Sequence, residues 1–420
     1  MLHHYWVRFL AVIQHGVRYL SAFAKWIWFA GITGAVGGFV GMFFHIFVEW
    51  ATNTREAVPQ LIYFLPLAGL IIVALYNGFV SYEDNGTDMV VKYAGRSGKK
   101  VPFIIAPLIF ISTVLTHLCG GSAGREGAAL QLGGSIGTQI GIWRGAKDEE
   151  MRIYIMCGMS ALFSALFGTP ITALFFAMEV SIVGSMVYSA LIPCMVSSFV
   201  AYGITRFNEI EPTRFILSSV PEFTAGNIFS MALLAAMCAV LSIVFCFLLK
   251  RSHKIMGLIK NEYLRIVIGA ALIIAMTLAV GNGDYNGSGM DVIKRATEGD
   301  AVPYAFLLKM IFTAVTIGAG YKGGEIVPTL FVGATFGCFA GGLIGFDPCM
   351  GAAIGMATMF CGVLNCPIAS IFLSIELFGA EGIMYFVPAV IISYMLSGYY
   401  GLYDTQKFVY SKLRPQEIDK

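Results

Sequence analysis

Long runs of apolar residues, separated by short polar stretches, dominate the pattern along the 420-residue chain. A helix that crosses the hydrocarbon core of a bilayer needs about 20 mostly apolar residues, and the pattern predicts about ten such spans. They fall at residues 26–50, 61–80, 101–118, 151–167, 171–188, 229–249, 264–281, 303–320, 329–345 and 382–399. We therefore predict an all-α, polytopic membrane protein.

Composition and charge agree with a protein embedded in a bilayer. Hydrophobic residues make up 57% of the chain and charged residues 12%, which is too apolar for an ordinary water-soluble globule. The basic clusters at 92–100, 144–152 and 250–265 lie between apolar runs, where loop charges set membrane topology. With a net charge of only +2, we predict no nucleic-acid site.

Cysteine and histidine give no indication of a metal or another cofactor. The nine cysteines lie singly, without a Cys-x-x-Cys pair or histidines at metal-ligand spacing. His45 and His117 have apolar neighbours, and we expect interior histidines with satisfied hydrogen bonds rather than metal ligands. Arg8, Arg18 and Lys25 precede the first long apolar run, which favours an interfacial cytoplasmic helix over a cleaved signal peptide.

The second half of the chain repeats parts of the first half at a nearly constant spacing. Such a duplication is typical of transporters, and an odd number of spans per half would insert the halves with opposite topology. We predict an N-terminal helix at 1–25, membrane repeats at 26–207 and 224–405, a connecting loop at 208–223 and a cytoplasmic tail at 406–420. The clearest matches are Gly124 with Gly324, Gly133 with Gly333, Gly137 with Gly337, Gly158 with Gly355, Pro170 with Pro367, and Glu179 with Glu376.

Three glycine-rich segments, at 85–89, 120–127 and 320–328, each lead into a helix-like apolar pattern. Irregular backbone at membrane depth is tolerated only where protein buries it or where it lines a wet cavity. A glycine-rich turn before a helix leaves the first N–H groups unpaired and directs the positive end of the helix dipole outward. Because the phosphate-binding Gly-x-x-x-x-Gly-Lys-Ser/Thr sequence is absent, the pattern favours a small-anion site over a nucleotide site.

Glu126 is the leading candidate for chemistry. A carboxylate at such a helix start is itself an anion, so it can occupy the site that it guards. Protonation would neutralise it and release it, which would exchange a proton for a permeating anion. The alternative is a structural acid that pairs with Arg125 or caps the backbone.

Glu325 lies at the corresponding helix start of the second half. Two acids near one anion pathway would repel each other and the anion, which makes a purely structural role there unexpected. The alternative is a solvated capping glutamate. For Glu179 and Glu376, at matched positions in the repeats, we predict structural roles at helix ends.

Residues 124–127, followed by Gln131 and two glycines, resemble the gating-glutamate motif of the CLC chloride channels and proton-coupled antiporters. Residues 323–328 resemble the second anion-binding segment of that family, and the similarity extends over about residues 26–403. It implies a CLC-like fold of two inverted-topology repeats, with broken helices whose N-termini meet at mid-membrane. The resemblance also implies a homodimer with one pathway in each subunit.

Departures from the chloride-type pattern point to one branch of the family. The segment at 86–90 replaces Gly-Ser-Gly-Ile-Pro, Ile326 replaces a phenylalanine, and Glu325 precedes it. The inner proton-transfer glutamate of the chloride antiporters falls on Val180, which carries no proton. This combination is similar to the bacterial CLC fluoride/proton antiporters.

That resemblance implies export of fluoride from the cytoplasm in exchange for protons, across the bacterial inner membrane, with a role in fluoride resistance. A chloride/proton antiporter and a passive anion channel are the nearest alternatives. A structural membrane protein or a membrane-embedded enzyme lies outside the family, and no nucleophile motif favours an enzyme. The implied gating and proton-transfer residues are Glu126 and Glu325, and the implied anion-binding residues are Gly124, Arg125, Gly127, Met89 or Thr87, Gly324, Ile326, Val327 and Tyr403.

Overall fold

The protein is described by a computed structural model that covers residues 2–80, 86–96, 98–217, 220–414 and 416–418, with side chains from residue 13 onward. Asn85, the first residue of the first glycine-rich segment, lies outside these ranges. Helices make up 74% of the structure, and sixteen α-helices are found within the described ranges. The predicted all-α class is confirmed.

The helices follow one another in two successive sets. The first set is α1 (Leu2–Ala57), α2 (Leu65–Phe79), α3 (Thr87–Ala94), α4 (Ile105–Leu118), α5 (Glu126–Arg144), α6 (Asp148–Phe167), α7 (Pro170–Glu179) and α8 (Leu191–Phe207). The second set is α9 (Ala225–Met256), α10 (Glu262–Val280), α11 (Met290–Thr297), α12 (Ala305–Ala319), α13 (Ile326–Leu343), α14 (Pro348–Leu364), α15 (Pro367–Phe378) and α16 (Ile383–Leu396). Two short strands, β1 (Ile182–Val183) and β2 (Lys407–Phe408), pair in parallel.

The two sets correspond helix by helix. A short helix, α3 or α11, occupies the third place in each set, and a glycine-rich turn precedes α5 and α13. Equivalent helices also pack alike, since α5 lies against α6 as α13 lies against α14, and α1 against α8 as α9 against α16. The internal duplication predicted from the matched residues is therefore visible as two similar bundles.

The predicted spans differ from the helices in length and in number. Among the described residues, seven helical segments are long and apolar enough to cross a membrane, and six other apolar helices have only 10–17 residues. The predicted span at 171–188 is the 10-residue helix α7 followed by β1 and a turn. The pattern missed α5 because glycines, Ser135 and Gln131 lower its hydropathy, although nearly the whole helix is buried.

Matched glycines let the helices of each repeat approach closely. A Cβ at Gly158 would overlap the carbonyl oxygen of Gly133 where α6 crosses α5, and a Cβ at Gly355 would overlap that of Gly333 between α14 and α13. Small residues allow such close helix contact in membranes. The repeated glycines are therefore a packing device present in both halves.

Two glutamates exchange hydrogen bonds between the repeats. Glu179, at the end of α7, accepts the N–H groups of Ile368 and Ala369 in the first turn of α15, at 3.2 and 3.0 Å. Glu376 accepts the N–H groups of Ile171 and Thr172 in the first turn of α7, at 3.0 and 2.8 Å. Each acid satisfies donors that a helix start leaves unpaired, so the predicted structural roles are confirmed.

The predicted domain boundaries stay predictions. The boundary between residues 25 and 26 falls inside the continuous helix α1. The connecting loop at 208–223 joins α8 to α9, and its residues 218–219 lie outside the described ranges. Within the tail at 406–420, β2 folds back onto β1, so this part of the tail packs against the membrane bundle.

Candidate anion and proton site

The starts of α5 and α13 meet between the two repeats. Gly124 and Gly324 form an antiparallel bridge in which each N–H donates to the other carbonyl, at 2.6 and 2.7 Å. Neither Arg125 nor Glu325, the residues before the first turns, caps its helix with its side chain. The positive ends of two helices therefore converge on one place, which is favourable for an anion.

The bridge fixes the register in which the two starts are compared. With Gly124 opposite Gly324, Arg125 corresponds to Glu325 and Glu126 to Ile326. The first helix start thus carries a cation and then an acid, whereas the second carries an acid and then an apolar side chain. The pseudo-twofold symmetry of the backbone is not followed by the charged residues.

Glu126 is the first residue of α5 and is 2% exposed. One carboxylate oxygen accepts the N–H of Arg125 at 3.0 Å, and the other lies 3.5 Å from Nε of the same arginine. The structure therefore contains the Arg125 pairing that the structural alternative requires. The carboxylate also lies over Gly124, where an added Cβ would stand 2.9 Å from Oε2. It occupies the region to which the converging helix starts point.

A cavity of about 880 Å³ reaches Glu126 from the surface. Its lining includes charged residues of α1, among them Glu49 and Arg55, and of the turn before α11, such as Asp284. Arg125, Glu126 and Val327 form part of the same lining. Water and ions can therefore come close to the Glu126 carboxyl group from one side of the protein.

Glu325 has a different environment. Its side chain does not line that cavity, and its Oε2 atom is buried without a hydrogen-bond partner among the described residues. A Cβ added to Gly127 would stand 3.4 Å from Oε2, which places this oxygen beside the first turn of α5. A buried carboxylate oxygen without a partner is costly, which is consistent with a position where water, a proton or an ion is accommodated.

Thr87 brings a hydroxyl group to the same place. Its Oγ1 donates to the Gly127 carbonyl at 3.2 Å and accepts from Gln131 Nε2 at 3.1 Å. Met89, the other candidate for the serine position of the family, is 4% exposed and packs in the main hydrophobic core. Of the two candidates, Thr87 thus contacts the first turn of α5.

Tyr403 completes the polar lining near Glu325. Its hydroxyl is buried, has no hydrogen-bond partner among the described residues, and lies within electrostatic range of Glu325 and Asp88. Asp88 accepts the N–H and the hydroxyl of Thr405, both at 3.1 Å, so the Tyr403 turn is fastened to the start of α3. Tyr403 and Glu325 thus each keep one buried polar atom without a partner among the described residues, and the two side chains interact electrostatically.

Two features of the site were not predicted correctly from the sequence. Gln131 was noted only as part of a motif, yet its side chain donates a hydrogen bond to Thr87. Its position one turn after Gly127 on a buried helix is the signal that could have identified it.

The expectation of satisfied histidines is wrong for His117. Its ring lies close to the Gly124 backbone, but neither ring nitrogen has a partner with hydrogen-bond geometry among the described residues. His45 pairs with Glu49 through Nε2 at 3.3 Å and leaves Nδ1 without a partner.

Duplicated helix bundles, short apolar helices beside long ones, and helix starts that converge on buried polar groups define a membrane transporter of the inverted-repeat class. The model of one protein family, described as voltage gated chloride channel, matches residues 68–398. The chain therefore belongs to this family, the CLC family of membrane transport proteins.

Individual relatives agree with this assignment. A protein of Pseudomonas syringae pv. tomato named chloride/fluoride channel protein is 32% identical over 412 residues, covering 95% of this chain and 90% of the relative. The crystal structure of a CLC-type fluoride/proton antiporter superposes with a TM-score of 0.88 at 30% identity, covering 92% of this chain and 98% of that chain. A slow cyanobacterial Cl⁻/H⁺ antiporter shares the fold, with a TM-score of 0.76 at 16% identity over 89% of this chain and 94% of that chain.

Proposed function

We propose that the protein exports fluoride from the cytoplasm in exchange for protons, with Glu126 as the protonatable gate. The observation that carries this proposal is the position of Glu126, a buried acid at two converging helix starts that also lines the 880 Å³ cavity. As a carboxylate, it competes with an anion for the positive ends of α5 and α13. Once protonated, it loses this attraction and leaves the place to the anion.

Anion binding would use N–H and O–H donors rather than a fixed positive charge. Backbone donors at the helix starts come from the segments that contain Gly124, Gly127, Gly324, Ile326 and Val327. The Tyr403 hydroxyl has no partner among the described residues, whereas the Thr87 hydroxyl would turn from the Gly127 carbonyl toward the anion. Fluoride is small and strongly hydrated, so a site must replace its water with several converging donors.

Arg125 has a different part in this proposal. Its guanidinium lies beside the Glu126 carboxylate and donates to the Leu166 carbonyl at 3.5 Å. It would hold Glu126 in the anion position and add positive potential at the end of the cavity. Met89 would shape the neighbouring core rather than supply a donor.

Proton transfer on the other side of Glu126 lacks the acid that chloride antiporters use, because Val180 occupies that position. Glu325 is a buried carboxylate beside the first turn of α5, and we propose that it exchanges protons with Glu126 directly or through water. The names of the chloride/fluoride channel relative and of the fluoride/proton antiporter neighbour support fluoride as the anion. A bacterial inner-membrane location and a homodimer with one pathway per subunit belong to the same proposal.

Flux from liposomes tests the proposal. The purified protein is reconstituted in vesicles loaded with fluoride, and efflux is followed with an ion-selective electrode while the external pH is recorded. We expect fluoride efflux to move protons in the opposite direction, whereas vesicles loaded with chloride should show much slower exchange. Equal chloride flux would contradict the choice of fluoride, and fluoride flux without proton movement would indicate a passive channel.

A further inference from the structure

The chain after α16 folds back as a strap, residues 401–412, across the ends of helices from both repeats. The Leu402 N–H donates to the Val363 carbonyl near the end of α14 at 2.8 Å. Further along, Lys407 and Phe408 pair with Ile182 and Val183, just after α7. Tyr403 lies inside this strap, so whatever holds the strap also places the tyrosine hydroxyl.

Gln406 is the buried centre of the strap. Its side-chain N–H group donates to the Val180 carbonyl at 2.9 Å and to the Leu364 carbonyl at 2.7 Å. Its side-chain oxygen accepts from Asn365 at 3.0 Å, and its backbone N–H donates to the Tyr403 carbonyl at 3.3 Å. The Gln406 side chain thus joins the ends of α7 and α14, and its backbone N–H closes the Tyr403 turn.

Lys412 closes the network from the far end of the strap. Its ammonium group donates to Asn365 Oδ1 at 2.6 Å, to the Tyr394 carbonyl at 2.9 Å and to Ser397 Oγ at 3.3 Å. Asn365 has a positive φ of 58° at the end of α14, which directs its side chain between Lys412 and Gln406. Three ammonium hydrogens therefore meet three acceptors.

The ammonium group lacks the partner that usually accompanies a buried charge. Lys412 is 8% exposed, and no carboxylate contacts it among the described residues. Burial lowers the pKa of Lys412 to about 8. The Tyr394 ring stands 4.2 Å from Nζ. Burying a charge with neutral acceptors only is unfavourable unless it maintains a specific arrangement.

A second set of contacts, made by the two residues after Tyr403, holds the strap without involving Lys412 or Gln406. Thr405 donates through its hydroxyl to the Asp88 carbonyl at 2.8 Å, and Asp404 pairs with Lys250 of α9 at 2.5 Å. Tyr403 is thus held between the start of α3 and the Gln406 network. The contacts of Lys412 are buried, whereas the Asp404 carboxylate in the ion pair with Lys250 is 72% exposed.

We propose that Lys412 is a positioning residue for Tyr403, acting through Asn365 and Gln406. The strap network would fix the tyrosine hydroxyl at the anion pathway, and Gln406 ties it to the Val180 carbonyl at the end of α7. The inference rests on the proposed function only in taking the Tyr403 hydroxyl as a contact of the transported anion.

A double-mutant cycle between Lys412 and Tyr403 tests the proposal. Lys412→Met, Tyr403→Phe and the double variant are reconstituted, and anion flux is measured over a range of internal anion concentrations. We expect each single variant to raise the KM about tenfold, as for one lost hydrogen bond to the anion. The double variant should be no worse than either single variant, since both changes remove the same contact.

Lys407→Met is the matched control, because this lysine lies in the same strap with an exposed side chain. Lys407→Met should leave KM unchanged both in the wild-type protein and in Tyr403→Phe. Lys412→Arg should recover part of the affinity that Lys412→Met loses. Multiplied effects of Lys412→Met and Tyr403→Phe would overturn the proposal, as would a loss of turnover at unchanged KM. If Lys412→Met does not fold, the same cycle is made with Lys412→Gln.

Hydrogen exchange separates a failure of this inference from a failure of the proposed function. Amide exchange of residues 401–412 is measured in detergent with no anion flux involved. Lys412→Met or Lys412→Gln should speed exchange in the strap, whereas Lys407→Met should not. Unchanged exchange would contradict the positioning role even if fluoride transport is confirmed. If the protein carries chloride instead, the cycle is carried out with chloride and its expected outcome is the same.

Discussion

The two helix starts at the centre of the molecule have the same backbone and different chemistry. At α5, Glu126 is paired with Arg125 and lines the 880 Å³ cavity. At α13, Glu325 does not line that cavity and keeps one buried oxygen without a partner among the described residues. The bridge between Gly124 and Gly324 nevertheless holds both starts in equivalent positions.

The duplication preserves the packing of the helices but not the residues at the two helix starts. Both repeats keep the features that make helices fit, namely the glycine contacts and the exchanged glutamate caps. Only the first repeat has an acid, Glu126, at the first residue of the helix, and this acid lines the cavity. A transport cycle needs this asymmetry, because a gate has to open toward one side at a time.

Neutralising the two acids should have unequal effects, and the largest is expected for Glu126→Gln. Glutamine cannot take up a proton, so proton movement coupled to fluoride efflux should fall below detection. The measurement is simultaneous recording of fluoride and pH in liposomes. Glu49→Gln is the control, since Glu49 lines the same cavity from α1, pairs with His45 rather than with a helix start, and should keep coupling intact. Persistent coupling in Glu126→Gln would remove the gate from the proposal.

Glu325→Gln should have the second largest effect. If Glu325 passes protons to Glu126, its replacement by an amide should slow coupled exchange by about 100-fold or more, since a positioned acid or base contributes about 10²–10⁴-fold. The amide also retains the shape of the side chain, so the fold should be preserved. Glu381→Gln, at an exposed position, serves as the control. Unchanged proton coupling in Glu325→Gln would exclude Glu325 from the relay and leave a structural role.

The residues of this asymmetry could be selected from the sequence, but their surroundings could not. Glu126, Glu325 and Val180 could be recognised because they lie in short motifs whose local backbone sets their positions. The helix α5 was missed as a span because hydropathy measures contact with lipid, whereas α5 is buried by other helices. Its glycines were visible in the repeat, and their contacts became clear only in the structure.

Contacts distant in sequence were beyond prediction. Gln406 and Lys412 lie in a polar tail, and nothing in the pattern indicates that they become buried against Asn365. The choice between Thr87 and Met89 depended on a register of one or two residues, which a short motif does not determine. Packing favours Thr87 without deciding the choice, because Thr87 contacts the Gly127 carbonyl and Met89 packs in the core.

Substitutions at matched packing glycines should destabilise the two repeats equally, in contrast to substitutions of the two acids. Gly158→Ala and Gly355→Ala each place a Cβ against a backbone carbonyl, so each should lower the free energy of unfolding by about 1–3 kcal/mol. Gly203→Ala, in α8 with no neighbouring atom in reach of the new methyl group, should be neutral or stabilising by about 0.5–1 kcal/mol. Thermal unfolding in detergent measures these differences. A marked inequality between Gly158→Ala and Gly355→Ala would contradict equivalent packing.

The smallest expected effect concerns the first helix start alone. Thr87→Val removes the hydroxyl that contacts the Gly127 carbonyl and the Gln131 amide, while the side-chain volume is nearly unchanged. Loss of one hydrogen bond at about 1 kcal/mol should weaken fluoride binding about fivefold, seen as a higher KM in the liposome assay. Met89→Leu is the matched variant, because it conserves core volume and should leave KM unchanged. A higher KM in Met89→Leu with an unchanged KM in Thr87→Val would place Met89, and not Thr87, at the anion pathway. Tyr403 would then be the only one of the two proposed hydroxyl donors left beside the helix starts.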